Sequence, residues 1–496
     1  MRVALQGHRL PGHPWLGHHW LACLLALPLF AHAAPAQDQW FTVLLDGRKI
    51  GSFESRRDVY SAKVVTLQKL DMVLERAGSH VALSNAETST ESVDGQPLAF
   101  RSVSRLSGSE TSIDGNVHDG VADIVTHTGG DQQKRSMPWP KGALLPEGVR
   151  LAAVRAGLET GTRYRALSFQ PSSLDAAEVT SVVGAKEPVN LPDGRMNLSP
   201  IEQTIAFSGS PLQSRAWVDA EQTIYKLTMP ILGVELTLLA CSHACATAPN
   251  QGSDVFARTL MASPRPLQAS ELAGAMRYTL KARDHGAALN LPQTDEQHVV
   301  REGDAWVVTI QHANASPDEA QPAADDYLPN DWLQSKAPEV VQLAERAVGN
   351  VKAPRERMQR IETFVRGYIR NKTLDVGYAS ALEVARKPEG DCTEHAVLVA
   401  ALGRASGIAT RVVDGLAYAP GFAGKDQVFV PHAWAQAFVD GRWQSFDAAL
   451  AGFDAGHIAL AVGDGDPWRF YSGLDMLGRI ELRQVEPIAA KAPATP

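Results

Sequence analysis

Cysteine is scarce in this sequence: 496 residues carry four, Cys23, Cys241, Cys245 and Cys392. That scarcity excludes a small disulfide-stapled scaffold, whose folding rests on dense cross-links. A strong excess of charge of one sign is also missing. The formal net charge is −8, no dense Lys/Arg cluster occurs, and a nucleic-acid partner is therefore not expected. Neither a Walker-type phosphate loop nor a dinucleotide glycine fingerprint is present, so no cofactor is expected. Beyond the first thirty or so residues, no apolar run approaches the ~20 residues that span a bilayer. What is there fits a folded chain: 44% apolar and 21% charged residues. At roughly 100–200 residues per domain, the length implies two or three units. Oligomeric state is not legible.

The N-terminus reads as an export signal. MRVALQGHRLPGHPWLGHHW, with Arg2 and Arg9, precedes the apolar run LACLLALPLF, and Ala31 and Ala33 then offer the small residues that a signal peptidase needs. Residues 1–33 are the expected signal, which places the mature protein in the periplasm or outside the cell. A short anchor is the alternative, but the run is about half the length required. Cys23 leaves with the signal. Cys241 and Cys245, in CSHAC, are close enough to pair in an oxidising compartment. They also allow two buried thiols, or a soft-metal site with His243, although a continuous helix would turn His243 away. Cys392 is left without a sequence neighbour of its kind.

Residues 34–312 read as a large β-rich antiparallel domain, punctuated by Asp46-Gly47, Asp94-Gly95, Asp114-Gly115, Asp119-Gly120 and Asp193-Gly194. A helix is expected around 271–282, and AWVVTI (305–310) as a closing strand. Residues 313–337, rich in Ala, Pro and Asp, read as a linker. Helical spacing then begins with Val340, Leu343, Ala344 and Ala347, followed by Ile361, Phe364, Val365 and Tyr368. Residues 338–486 form the second domain, and 487–496 a disordered tail. The fold class expected is α+β.

The chemistry lies in EGDCTEHAVLVAALGRASGIATRVVDG (389–415). Asp391 and Glu394 form a D-x-x-E capping box, which puts Cys392 at the first helical position. The positive end of a helix favours thiolate over thiol there, lowering the thiol pKa from its free value of roughly 8.5. By itself a cysteine at that place is as readily a buried small hydrophobe. PHAWAQAFVDGRWQSFDAAL (431–450) adds the rest. A hairpin turning at Asp440-Gly441 sets Phe438 opposite Trp443, Gln436 opposite Ser445 and Trp434 opposite Asp447. His432 and Asp447 become diagonal neighbours, main-chain carbons about 7–8 Å apart. A bulged turn would shift that register by one residue.

Cys392 is then the nucleophile, His432 the base and Asp447 the residue that orients the imidazole. A metal site is not expected. Cys392, His395, His432 and Asp447 are nominal ligands, yet no paired Cys or His spacing accompanies them. His457 reads as structural, and the GDGD loop lacks calcium-loop spacing.

These motifs, GDCTEHAVL, ALGRASGIATRVVDGL and HAWAQAFVDGRWQSFD in that order, resemble the transglutaminase-like superfamily, in particular its bacterial exported members. The resemblance covers roughly residues 337–485. It implies a papain-like α+β domain in which Cys392, His432 and Asp447 are the catalytic triad. Relatives follow the aspartate with Pro-Thr, where this chain has Ala448-Ala449. The N-terminal region resembles, more loosely, periplasmic sheet domains with a curved, partly open barrel, through Trp217, Asp219, Lys226 and Gly233. It implies no ligand.

The function expected is a cysteine-dependent hydrolase, a protease or amidase acting on a peptide or protein substrate of the cell envelope. The superfamily also contains binding or assembly modules and amine-transferring cross-linkers, and fold alone does not choose among them.

Overall fold

A computed structural model describes residues 37–488, apart from 77, 108, 207–211, 232–233, 253, 255, 284–289, 312–318, 375 and 467–479. The expected signal, Cys23 and the tail beyond 488 lie outside the described residues.

The chain is α+β: a large N-terminal β-sheet domain followed by a smaller α+β domain. Sixteen strands among the described residues form the first sheet. Its first eight strands run as a meander from Gln37–Leu45 to Asp131–Pro138. The last strand, Val234–Cys241, returns to pair with the first, Trp40 opposite Cys241. Residues 139–142 join the two outer strands of the sheet, Asp131–Pro138 and Ala143–Leu144. Phe100 and Ile124 from one arm share an apolar cluster with Phe169 from the other, so the two arms face each other.

Period-two alternation explains the strands. Ser79–Ser92 buries every second residue along most of its length. The buried face changes character along this strand, from Val81 and Leu83 to Asn85, Glu87, Ser89 and Glu91. Burial pushes the Glu87 and Glu91 carboxyls up to about 7. Glu91 accepts hydrogen bonds from the amides of Glu147 and Gly148, and so caps the helix Pro146–Ala156. Glu147 pairs with the buried Arg57 at 2.8 Å.

The Asp-Gly signals divide. At Asp46-Gly47 and Asp119-Gly120 both residues have positive φ, 50° and 76° then 49° and 76°, as a two-residue hairpin turn requires. Asp114-Gly115 is no turn. It lies inside the strand Ser109–His118, where a Cβ on Gly115 would meet the Phe100 ring at 2.1 Å. That glycine makes room for an aromatic ring.

The helix expected at 271–282 is also corrected. The helix is only Ala269–Leu272, and a strand Ala275–Ala282 follows. Met276, Tyr278 and Leu280 are buried at alternate positions, the period of a strand. AWVVTI is a strand that pairs with it, and its other neighbour is Ile480–Ile488 at the far end of the chain. Met261–Ala262 pairs with the strand that carries His432. Strand pairing thus runs across the boundary expected at 312, tying 261–310 to the second domain.

In that second domain the helices Pro338–Val348 and Pro354–Tyr368 bury Val340, Leu343, Ala344 and Ala347, and Met358, Ile361 and Val365. Each starts on a proline, which suits a position whose N–H has no helical partner. The two domains touch: Ser109 Oγ donates to Glu383, and Arg386 donates to the Gly129 carbonyl. Among the described residues no helix is long and apolar enough to cross a membrane.

Cys241 closes the last strand of the large sheet, and the structure joins it to Cys245 in the short helix His243–Ala246, Cα atoms 6.0 Å apart. Reduction is expected to add the mass of two hydrogens, mapped to this pair by peptide analysis. Because the closed loop is so short, reduction is expected to cost only about 2 kcal/mol. Alkylation of both residues without reductant, in protein isolated under oxidising conditions, would reject the bridge.

Candidate active site

Cys392 begins the helix Cys392–Ala405 and keeps its thiol. The local sequence builds that start. The Asp391 carboxylate accepts from the Thr393 amide at 2.9 Å, and the Asp391 amide donates to Glu394 Oε2 at 2.8 Å. Gly390 precedes them with φ 136°, and a Cβ there would meet Glu394 Cγ at 2.4 Å. Glycine is required at that step. Burial, reinforced by the neighbouring Asp391, raises the Glu394 carboxyl above its ordinary range. The helix is buried on every side, with Val397 to Leu402 fully enclosed, so the thiol's position is held by core packing.

His432 sits on the strand Lys425–Val439 and Asp447 just beyond Arg442–Phe446. The hairpin register pairs Phe438 with Trp443 and Gln436 with Ser445. Asp440 and Gly441 turn it with φ 53° and 75°. His432 Nε2–H donates to Asp447 Oδ2 at 2.9 Å. That leaves Nδ1 as the nitrogen not committed to the carboxylate. Asp447 Oδ1 accepts from the amides of Ala449 and Leu450 at 2.8 and 3.2 Å. The Ala448-Ala449 exit is therefore closed by the aspartate's own side chain. Burial alone would raise the Asp447 carboxyl, but His432 and then His457 hold it well below the usual range.

Cys392 and His432 line one cleft of about 280 Å³, together with Lys372, Leu374, Phe422 and Leu450. His395, one turn along from Cys392, lines it too. Its Nδ1–H donates to the Asp391 carbonyl at 2.5 Å, and its Nε2 has no hydrogen-bond partner among the described residues. Burial, and then the Lys372 charge, hold His395 below the ordinary histidine range. With the proton on Nδ1 for the Asp391 carbonyl, a neutral ring would present Nε2 as an acceptor.

Two contributors were not legible in the sequence. His457, which opens the strand His457–Gly463, donates from Nε2 to Asp447 Oδ2 at 3.1 Å. It follows Asp447 by ten residues of loop, and no spacing rule brings such a pair together. Glu296 lies outside the bounds expected for the second domain, 338–486. It accepts from the Ser445 amide at 3.0 Å and from the Ser445 hydroxyl. Ser445 Oγ in turn accepts from Trp434 Nε1 at 3.0 Å, and the Trp434 ring stacks on His432 with centres 6.2 Å apart. Burial pushes Glu296 up to about 7.

His432, Asp447 and His457 bring ligand-type atoms within 4.8 Å of one another. Both imidazoles spend their inward Nε2 as donors to Asp447, so a metal would have to displace both protons. The donor set fits a hydrogen-bonded cluster.

Fold and site together define an α+β domain of transglutaminase-like architecture, with a thiol at a helix start and a histidine–aspartate pair on the facing sheet. Residues 341–448 match the profile of the transglutaminase-like superfamily. No curated protein matches the chain. Among solved structures it is similar to a candidate cysteine protease from Cytophaga hutchinsonii, at 15% identity over 43% of this chain and 84% of that one, TM-score 0.29. It is also similar to a β-barrel-like protein from Brucella abortus, at 13% identity over 43% and 98%, TM-score 0.34. A candidate protease from Parabacteroides distasonis gives 10% identity over 72% and 69%, TM-score 0.20. At these scores the likenesses carry no functional weight.

Proposed function

We propose that this chain is an exported thiol hydrolase that cleaves a peptide or amide bond through an acyl-thioenzyme, with Cys392, His432 and Asp447 as its catalytic residues. The observation that carries the reading is the 2.9 Å bond from His432 Nε2 to Asp447, in a ring that lines one cleft with the helix-start Cys392. His432 Nδ1 takes the thiol proton as Cys392 Sγ bonds to the substrate carbonyl carbon. The same proton passes to the departing amine as the C–N bond breaks. Water then attacks the thioester, His432 accepts its proton, and the thiol is restored as the acid leaves.

Walls of Leu374, Phe422, Val430 and Leu450 favour an apolar side chain next to the scissile carbonyl. A cell-envelope location is part of the proposal. The leader at 1–33 and the Cys241–Cys245 bridge both suit an oxidising compartment.

The test is turnover of a peptide and amide library by the mature protein, with and without added primary amines, against Cys392→Ala. The expected result is hydrolysis biased to apolar residues and lost in the variant. Amine incorporation in place of hydrolysis would make the protein a cross-linker. No Cys392-dependent turnover with either acceptor would leave a binding or assembly module.

A further inference from the structure

Two histidines converge on one carboxylate oxygen here, and the triad chemistry uses only one of them. His432 and His457 reach Asp447 Oδ2 at 2.9 and 3.1 Å. On the other edge of the His457 ring, Nδ1 lies 3.0 Å from Asp454 Oδ1, 3.1 Å from the Asp454 carbonyl oxygen and 3.3 Å from its amide nitrogen. Carboxylate and carbonyl oxygens only accept. Two acceptors against one longer donor contact place a proton on Nδ1, and Asp447 places another on Nε2.

We propose that His457 is a positioning residue, an imidazolium held between Asp447 and Asp454 that shares the Asp447 charge and so sets how strongly Asp447 draws a proton onto His432. The proposal rests on reading Cys392, His432 and Asp447 as the thiol site. A lone carboxylate behind a catalytic imidazole spends its whole charge on that ring. Here the charge is divided between two imidazoles.

The surroundings support the charged form. The ring is 2% exposed. The groups facing it are Asp447 at the end of the hairpin, Asp454 in the preceding loop, His432 across the sheet at 5.6 Å between ring centres, and Glu296 from the segment behind the hairpin. Trp434 and Phe453 cover the rest at 5.2 and 5.0 Å. Burial works against the charge, yet the bonds to Asp447 and Asp454 outweigh it and hold His457 up at about 9.

A purely structural His457 would be neutral with one N–H, and its loss would lower the amount of active protein without moving any pH profile. Two measurements on the mature full-length chain decide between these roles. The first is nitrogen-15 NMR of the histidine rings, with the His457 signal assigned by its loss in His457→Gln. The expected result is both ring nitrogens protonated at pH 7.5. The second is the pH profile of Cys392 alkylation by iodoacetamide. Glutamine keeps an N–H for Asp447 and removes the positive charge, so Asp447 draws the proton onto His432 more strongly and the thiolate–imidazolium pair forms at lower pH. The midpoint is expected to move down by about one pH unit. Asp454→Asn, which withdraws one carboxylate from the ring, is expected to lower the pH at which His457 loses its second proton.

A singly protonated His457 at pH 7.5, or an alkylation midpoint that stays put in His457→Gln while only the amplitude falls, overturns the proposal. If the glutamine variant does not fold, the wild-type NMR result decides alone, with the His457 signal assigned by its shift in Asp454→Asn. A wild-type Cys392 that does not alkylate at any pH would sink the hydrolase reading instead, whatever charge His457 carries.

Discussion

His432→Ala is expected to move the Cys392 alkylation midpoint upward, toward the roughly 8.5 of an ordinary thiol, and to lower turnover by about 10²–10⁴-fold. In the wild type the helix start and the imidazole both favour thiolate, so the midpoint should lie clearly below that value. Removing the ring leaves the helix start alone. The variant is informative because the fold keeps its other contacts. His457 still donates to Asp447 at 3.1 Å, and the amides of Ala449 and Leu450 still reach Oδ1. The buried carboxylate therefore keeps three of its four partners, and the stability loss should stay within the roughly 0.5–3 kcal/mol of most point substitutions. A pH titration of alkylation, alongside a melting curve, checks both halves. If the profile ignores the loss of His432, the enzyme reading should be abandoned.

How much of this was legible in the sequence depends on distance along the chain. The capping box at Asp391 and Glu394 needs only residues three apart, and the hairpin register needs only a tight turn at Asp440-Gly441. Such local rules place Cys392, and they bring His432 close to Asp447. Asp114-Gly115 shows where they stop. Its composition is that of a turn, but the strand keeps going because Phe100, on the neighbouring strand, needs the space. The same holds for 275–282, where a strand is imposed by partners at 305–310 and 480–488. A propensity reading cannot see partners two hundred residues away.

The groups behind His432 and Asp447 belong to that second kind. Glu296 reaches Ser445 across 149 residues, and Asp295 accepts from the Trp443 amide across 148. Glu319, near the start of the expected linker, forms a buried ion pair with Arg411, whose guanidinium lies 4.0 Å above the Trp443 ring. Through Glu319 and Ala320, part of the segment read as a spacer packs against the hairpin that carries His432. Acidic residues in an Ala- and Pro-rich stretch look solvated by composition. Burial against a specific cation is a tertiary fact.

Asp447→Ala is expected to be the most damaging single change in the second domain, costing about 3–5 kcal/mol of stability as well as activity. The carboxylate is the hub of the site. Its side chain is 1% exposed and satisfies two imidazoles and two backbone amides. Alanine would leave the buried His457 with one carboxylate where it had two, and the amides of Ala449 and Leu450 without an acceptor. Asp447→Asn keeps an oxygen for those amides and should fall between alanine and wild type in stability. It would still lose most activity, because a neutral amide does not stabilise the imidazolium.

The pH dependence of unfolding gives an independent reading of the same hub. The Asp447 carboxyl is held below its ordinary value of roughly 3.9, so its contribution is present above about pH 4 and is lost as pH falls further. His457 runs the other way. Its folded value of about 9 lies above the unfolded value of roughly 6.5, so its contribution is complete below pH 6.5 and disappears as pH rises through 9. At 1.36 kcal/mol per pH unit, that window is worth roughly 3 kcal/mol. Denaturant melts between pH 6 and 9.5 should show stability falling with pH in the wild type and a much flatter profile in Asp447→Ala. A wild-type profile as flat as the variant's would mean that His457 carries no charge against Asp447, and the hub would be a neutral hydrogen-bond cluster.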